Sequence, residues 1–306
     1  MDLNKLFSIT DKDCHYIVTL LGIKLKFKHG YKYVCPVVKS CGITETKRPT
    51  EIIVSLTSFP ARINSVEKTV RTLLSQTLKP DRVILWLAEE QFPNREKDLP
   101  EALVSLKTFG LDIEFCEDLR SYKKLIPAMK KYPKAVIITA DDDIYYAPDT
   151  VESLYTAYLE DKTSVHAHRI QPLALVDGNK LKNGKKVPKT SYFNRQIGYG
   201  AVLYPPDVLY KDAADVSIFK KLLPTHDDVW FWAMTVLNHR KINLVKGDKE
   251  SIIYVENTQQ YGLCKINKSF SNNKSAGISI EEADKRILDY YPQLIEILKE
   301  EYVGQK

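Results

Sequence analysis

The stretch Ala135-Val136-Ile137-Ile138-Thr139-Ala140 runs without a break into Asp141, Asp142 and Asp143. A short, continuous, β-branched apolar run is the composition of a strand covered on both faces. Such a strand demands a sheet with helices on either side. Three carboxylates at its carboxyl end repel one another and lose hydration unless something compensates. That end is also where open α/β sheets hold their ligands. A divalent cation carrying a phosphorylated ligand would compensate, because hard cations take oxygen ligands and Mg²⁺ combines few carboxylates with substrate phosphates. The competing account is an acidic turn that opens a helix. An EF-hand loop does not fit: counting from Asp141, the sixth residue is Tyr146 where glycine is needed, and only Glu152 at the twelfth matches.

The surrounding pattern alternates strand and helix. Strands are expected over 51–57, 82–88 and 111–116. Helices are expected over about 65–76, 100–109 and 122–131. In the first helix Val66, Val70, Leu73 and Leu74 share a face. This alternation implies a largely parallel sheet with helices on both faces. After the aspartates, 149–159 reads as helix and 164–168 as extended. Residues 177–189 carry two glycines, two asparagines and five lysines. They read as a solvated loop and a candidate lid. Gly198-Tyr199-Gly200-Ala201-Val202-Leu203-Tyr204 reads as a strand entered through two glycines, a sign of close backbone approach. Asp227 opens a helix bearing Val229, Phe231, Trp232 and Val236. Two further helices, over about 279–290 and 293–302, flank Pro292.

Composition narrows the class. The 306 residues suffice for one large α/β domain or two small ones. No apolar run approaches the roughly 20 residues that span a bilayer, and the opening lacks a secretory leader pattern. A cytoplasmic protein is the expectation. Five scattered cysteines without a CxxC pair argue against a disulfide framework and a structural zinc site. The net charge of +6 suits anionic donors or an acidic membrane surface, but is too dispersed to indicate nucleic acid. The alternation Ile23-Lys24-Leu25-Lys26-Phe27-Lys28 reads as a β-hairpin with one lysine face. That face either lies on acidic headgroups of the inner membrane or protects an ordinary edge strand.

Three segments together resemble a known family. The aspartate triplet resembles the DxD motif of GT-A glycosyltransferases that use nucleotide sugars. The segment from Ile52 through Thr57-Ser58-Phe59-Pro60-Ala61-Arg62 is similar to the family's first strand and nucleotide loop. His226-Asp227-Asp228-Val229-Trp230-Phe231-Trp232 resembles its later acidic motif. They occur in the family's order over about 50–247. The resemblance is closest to family-2-like bacterial enzymes of capsule and lipopolysaccharide synthesis. It implies a GT-A, Rossmann-like mixed α/β sheet. It also implies a β-hairpin-like accessory segment over 1–48, a catalytic domain over 49–247 and a helical extension over 248–306.

The implied chemistry is sugar transfer from a nucleoside-diphosphate donor to a glycan or glycolipid acceptor, with Mn²⁺ or Mg²⁺. Alternate side chains of an extended segment share a side, so Asp141 and Asp143 are the metal candidates. By resemblance Asp143 binds the metal and Asp141 meets the donor; Asp142 takes either role. Donor contacts are expected from Thr57, Ser58 and Arg62, since arginine suits bidentate phosphate binding. Lys123 and Lys124 join them, because lysines at a helix start conflict with the macrodipole, a conflict that a bound phosphate or plain solvent exposure would resolve. Inversion needs a carboxylate to take the proton of the attacking hydroxyl. Asp228 is the expected base, with Asp227 as the alternate or as an N-cap. Acceptor contacts are expected from Tyr199, Gly200, His226 and Trp230, with one of Trp230 and Trp232 in the core. Exostosin-type retaining enzymes carry a similar triplet and later pair, which leaves the stereochemistry open.

Two rivals remain. A nucleotidyltransferase also sets carboxylates and metal beside a nucleotide, but would carry a Gly-rich basic loop where 57–62 has no glycine. A non-catalytic glycan-binding module would need no acidic cluster. Dinucleotide-binding and P-loop fingerprints are absent from the sequence.

Overall fold

The computed structural model describes residues 7–12, 15–20, 23–28, 35–185, 187–245, 252–261 and 278–303. Strands β1 (Phe7–Lys12), β2 (His15–Leu20) and β3 (Ile23–Lys28) form an antiparallel three-stranded sheet with β2 in the middle. The main body then runs β4 (Ile52–Thr57), α1 (Val66–Leu73), β5 (Arg82–Ala88), α2 (Glu101–Val104), β6 (Leu111–Cys116), α3 (Ile126–Lys131) and β7 (Val136–Ala140). Next come β8 (Ile144–Tyr145), α4 (Thr150–Glu160), β9 (Val165–Ala167), β10 (Ile170–Val176), β11 (Lys180–Asn183), β12 (Thr190–Ser191), β13 (Asn194–Gln196) and β14 (Val202–Tyr204). The chain continues with α5 (Val216–Leu222), α6 (Asp227–Leu237), β15 (Ile242–Leu244), β16 (Ile253–Tyr254), α7 (Ile280–Tyr290) and α8 (Gln293–Val303).

Eight strands make one mixed sheet in the order β12-β15-β9-β14-β7-β4-β5-β6. Strands β7, β4, β5 and β6 are mutually parallel, whereas β14 is antiparallel to both β7 and β9. The chain steps outward from β4 to β5 and β6, then returns to place β7 on the other side of β4. That reversal is a topological switch point, and it opens a crevice outside the carboxyl ends of β4 and β7.

Period-two alternation splits the strand side chains between two apolar layers. Ile52, Val54, Leu56, Val136 and Ile138 pack with α1 and α4 on one face. Ile53, Ile84, Ile137 and Val202 pack with α6, α7 and α8 on the other. The expected mixed α/β sheet with helices on both faces is therefore present.

Local expectations failed in three places. Residues 177–183 are not an irregular loop: β10 and β11 form a hairpin, turning at Asp177 and Gly178 with φ of 53° and 72°. That left-handed pair is the geometry Asp-Gly favours in tight hairpins. Lys123 and Lys124 do not open an α-helix either. They lie in a 3-10 turn over Arg120–Lys124, ahead of α3. The stretch Gly198–Gly200 is likewise a 3-10 turn, and β14 starts after it.

Candidate active site

Leu56 pairs with Ala140 across the parallel β4–β7 ladder, so the loops leaving both strands emerge side by side. The loop after β4 winds into α1 through Arg62 N–H donating to Phe59 O and Val66 N–H to Arg62 O. This delivers the Arg62 guanidinium to the aspartates. Its Nη1 lies 2.6 Å from Asp142 Oδ1 and its Nη2 lies 2.9 Å from Asp143 Oδ2. Ser58 Oγ donates to Asp142 Oδ2 at 2.6 Å. Both Asp142 oxygens are thus committed. Burial raises the pKa of Asp142, while Arg62 and the Ser58 hydrogen bond oppose the rise.

Asp143 is held from a second direction. Strand β16 pairs with β8, and just beyond it Val255 N–H donates to Asp143 O at 2.8 Å. Gln259 Nε2 donates to Asp143 Oδ2, also at 2.8 Å. Burial pushes the Asp143 carboxyl up to about 6, aided by the charges of Asp142 and Asp141 and opposed by Arg62.

Asp141 has different partners. Its backbone N–H donates to Tyr146 Oη at 2.7 Å, and its Oδ1 lies 2.9 Å from Lys124 Nζ. Lys124 is buried and also reaches Asp227 Oδ2 at 3.1 Å. Burial works against the ammonium, but Asp141 and Asp227 outweigh it and drive its pKa well above the usual lysine value. Asp227 Oδ1 accepts from Ser121 Oγ at 2.8 Å. The neighbouring Asp228 is held through Oδ1 by Gly198 N–H at 3.0 Å. Among the described residues nothing bonds its Oδ2. Burial, reinforced by the Asp227 charge, pushes Asp228 up to about 7; Lys124 pulls it down.

The other expected residues are spread more widely. Thr57 Oγ1 donates to Trp86 O at 2.8 Å, within the sheet. Lys123 pairs with Asp118 instead of the triplet. His226 stands at the start of α6 with Nδ1 3.2 Å from Thr225 Oγ1, and burial lowers its pKa. Tyr199 is half-buried against the α1 and α4 side of the core. The close approaches foreseen at the glycines are to protein: a Cβ on Gly200 would meet Arg169 Cγ at 2.4 Å. Trp230 corrects the expectation outright. It is fully buried, donating Nε1 to Ala213 O at 3.0 Å, so no acceptor can stack on it. Trp232 is buried as well, bonded to Tyr192 O and capped by the Arg195 guanidinium. Gln259 and Ser121 carry no local sequence signal, since they act through contacts across more than a hundred residues, whereas Gly198 stands out only as a point of close backbone approach.

The donor set suits a hard divalent cation. Among the described residues no hydrogen bond reaches Asp141 Oδ2 or Asp143 Oδ1, while Asp142 is turned onto Arg62 and Ser58. Two carboxylates with open oxygens are what Mg²⁺ or Mn²⁺ takes when substrate phosphates complete its shell. No three acidic, histidine or cysteine side chains among the described residues form a finished metal cage. No helix among them is long and apolar enough to cross a membrane.

No protein-family model and no curated protein matches the sequence. Among solved structures, the chain is similar to S. aureus TarS at 11% identity, over 79% of this chain and 70% of that one, with a TM-score of 0.43. It is similar to the mannosyltransferase PcManGT of Pyrobaculum calidifontis, solved with GDP-Man and Mn²⁺, at 10% identity over 86% and 75% with a TM-score of 0.44. The inositol-1-phosphate CTP transferase of T. maritima matches at 12% identity over 76% and 100%, with a TM-score of 0.40.

Proposed function

We propose that the crevice outside β4 and β7 transfers a sugar from a nucleoside-diphosphate donor to a hydroxyl of a glycan acceptor. One observation carries the reading. Two acidic clusters meet on Lys124, and one of them presents, on Asp228, an open carboxylate oxygen whose pKa lies near neutrality. A base poised near the working pH is the effective one. Gly198 N–H fixes the Asp228 carboxylate through Oδ1, leaving Oδ2 to take the acceptor proton. The acceptor oxygen forms the new bond to the anomeric carbon, and the nucleoside diphosphate leaves with the electrons of the broken bond. Base-assisted direct attack inverts the anomeric centre. Asp227, engaged by Ser121 and Lys124, serves as a fixed charge.

Arg62 braces Asp142 and Asp143, Ser58 braces Asp142 and Lys124 braces Asp141; Asp141 and Asp143 would hold Mg²⁺ or Mn²⁺. When bound, the ion supplies Lewis-acid stabilisation of the departing diphosphate. Support for a capsule or lipopolysaccharide glycan as acceptor comes from the sequence resemblance. Peripheral contact with the inner membrane is supported by the lysine-faced alternation Ile23-Lys24-Leu25-Lys26-Phe27-Lys28, which suits acidic headgroups from the cytoplasmic side.

A panel of nucleoside-diphosphate sugars incubated with Mn²⁺ tests the reading. Release of free nucleoside diphosphate, stopped by EDTA, is expected. Formation of pyrophosphate from a nucleoside triphosphate and a sugar phosphate would move the function to nucleotidyl transfer. Inertness towards every donor would favour a glycan-binding module.

A further inference from the structure

We infer that Lys124 is a positioning residue that locks the aspartate triplet to the acidic pair, and that position 198 is glycine to admit its ammonium. The inference rests on the transferase reading above. Four segments converge on Lys124 Nζ: its own turn, the end of β7, the start of α6 and the turn before β14. Asp141 Oδ1 lies at 2.9 Å and Asp227 Oδ2 at 3.1 Å. A Cβ at Gly198 would sit 2.4 Å from Nζ and 3.2 Å from Asp228 Oδ1. The ammonium and Asp228 are therefore within about 6 Å of each other, close enough for one charge to set the other's ionisation. Gly198 itself is buried, and its N–H is the donor that fixes Asp228.

One ammonium thus does two jobs. It holds Asp227 away from proton transfer, which leaves Asp228 as the base. It also keeps Asp228 ionisable despite burial and a neighbouring carboxylate. The charged or titratable groups around Asp228 are Asp227 on α6, Lys124, Asp141 beyond β7, Tyr122, Tyr204 on β14 and Arg195 on β13. Lys124 lies nearest to balancing the acidic ones, because Arg195 is already paired with Asp284. The alternative duty for Lys124, a direct contact with donor phosphate, would appear as lost nucleotide affinity instead.

The test uses Lys124→Met and Gly198→Ala in the full chain. Removing an opposite charge at this distance should raise the Asp228 titration by about one pH unit or more. It is followed by ¹³C NMR of labelled aspartate carboxyls, assigned with Asp228→Asn. A methyl at position 198 must displace the flexible Nζ, so Gly198→Ala should shift the same titration in the same direction. In transfer assays kcat at neutral pH should fall several-fold and recover as pH rises. GDP and UDP affinity in Mn²⁺ should change less than kcat. An unmoved Asp228 titration in both variants overturns the inference, as does a loss confined to GDP and UDP binding. If Lys124→Met does not fold, Gly198→Ala decides alone, since it retains the lysine and its main clash, at 2.4 Å, is with Nζ. The NMR readout needs no turnover, so a protein inert to all donors would refute the transferase reading while still judging Lys124.

Discussion

The two acidic clusters of the crevice carry similar charge and are compensated in different ways. The triplet after β7 meets a guanidinium, an ammonium, a hydroxyl and an amide, and its central carboxylate has no oxygen to spare. The pair opening α6 shares one ammonium, and that ammonium sits on Asp227. Asp228 receives a single backbone N–H and is pushed up to about 7. Chemistry follows from this asymmetry. A braced cluster suits holding a cation and a diphosphate, because its geometry survives a change of ligand. An under-compensated carboxylate suits moving a proton, because burial has already brought its two protonation states close in energy.

The largest expected effect falls on the under-compensated side. Asp228→Asn should lower kcat by about 10²- to 10⁴-fold, the range for a positioned general base, with little change in KM. Asp227→Asn should cost less; a reversed order would make Asp227 the base. On the braced side, Arg62→Ala leaves two buried carboxylates without their cation. Chemical denaturation should then show a loss of about 3–5 kcal/mol in stability. A loss below 1 kcal/mol would mean that the triplet does not depend on Arg62.

Two smaller effects concern pH. The free enzyme's kcat/KM should rise about tenfold per unit below pH ~7 and level off above it, as a base that must be ionised requires. A flat profile through that range would remove Asp228 from proton transfer. The same carboxyl binds its proton more tightly in the fold, at about 7, than in the unfolded chain, where aspartate titrates near ~3.9. Its stabilising contribution is therefore present at low pH and lost as pH rises through about 7. Asp228→Asn should accordingly melt above wild type in alkaline buffer, and the gap should close in acid. Equal melting temperatures at both extremes would mean that the group is not buried as a charge.

Much of the sheet was legible because β4, β5 and β7 are buried, largely apolar runs and the edge strand β6 alternates apolar and acidic residues; all four fall within one residue of expectation. The hairpin of β10 and β11 was hidden because exposed Lys180, Lys182 and Asn183 look like loop, and only Asp177-Gly178 marked the turn. Trp230 was misread for a different reason. Helix α6 has partners on several sides, including α7 and α8 from some fifty residues further on, and local periodicity cannot show that covering. Within the site, the carboxylates and Arg62 were visible as residue types. Their division of labour was not. It depends on Lys124 facing Asp141 and Asp227 while adjacent Lys123 faces Asp118, a choice made by the 3-10 turn that carries both.

The separation of duties between the clusters is tested most directly by calorimetric titration of GDP and UDP, with Mn²⁺, into wild type, Asp143→Ala and Asp228→Asn. If the triplet holds the donor and the pair moves the proton, Asp143→Ala loses nucleotide binding and Asp228→Asn binds like wild type while failing to transfer. Undiminished binding in Asp143→Ala, or equal loss in both variants, would contradict the account.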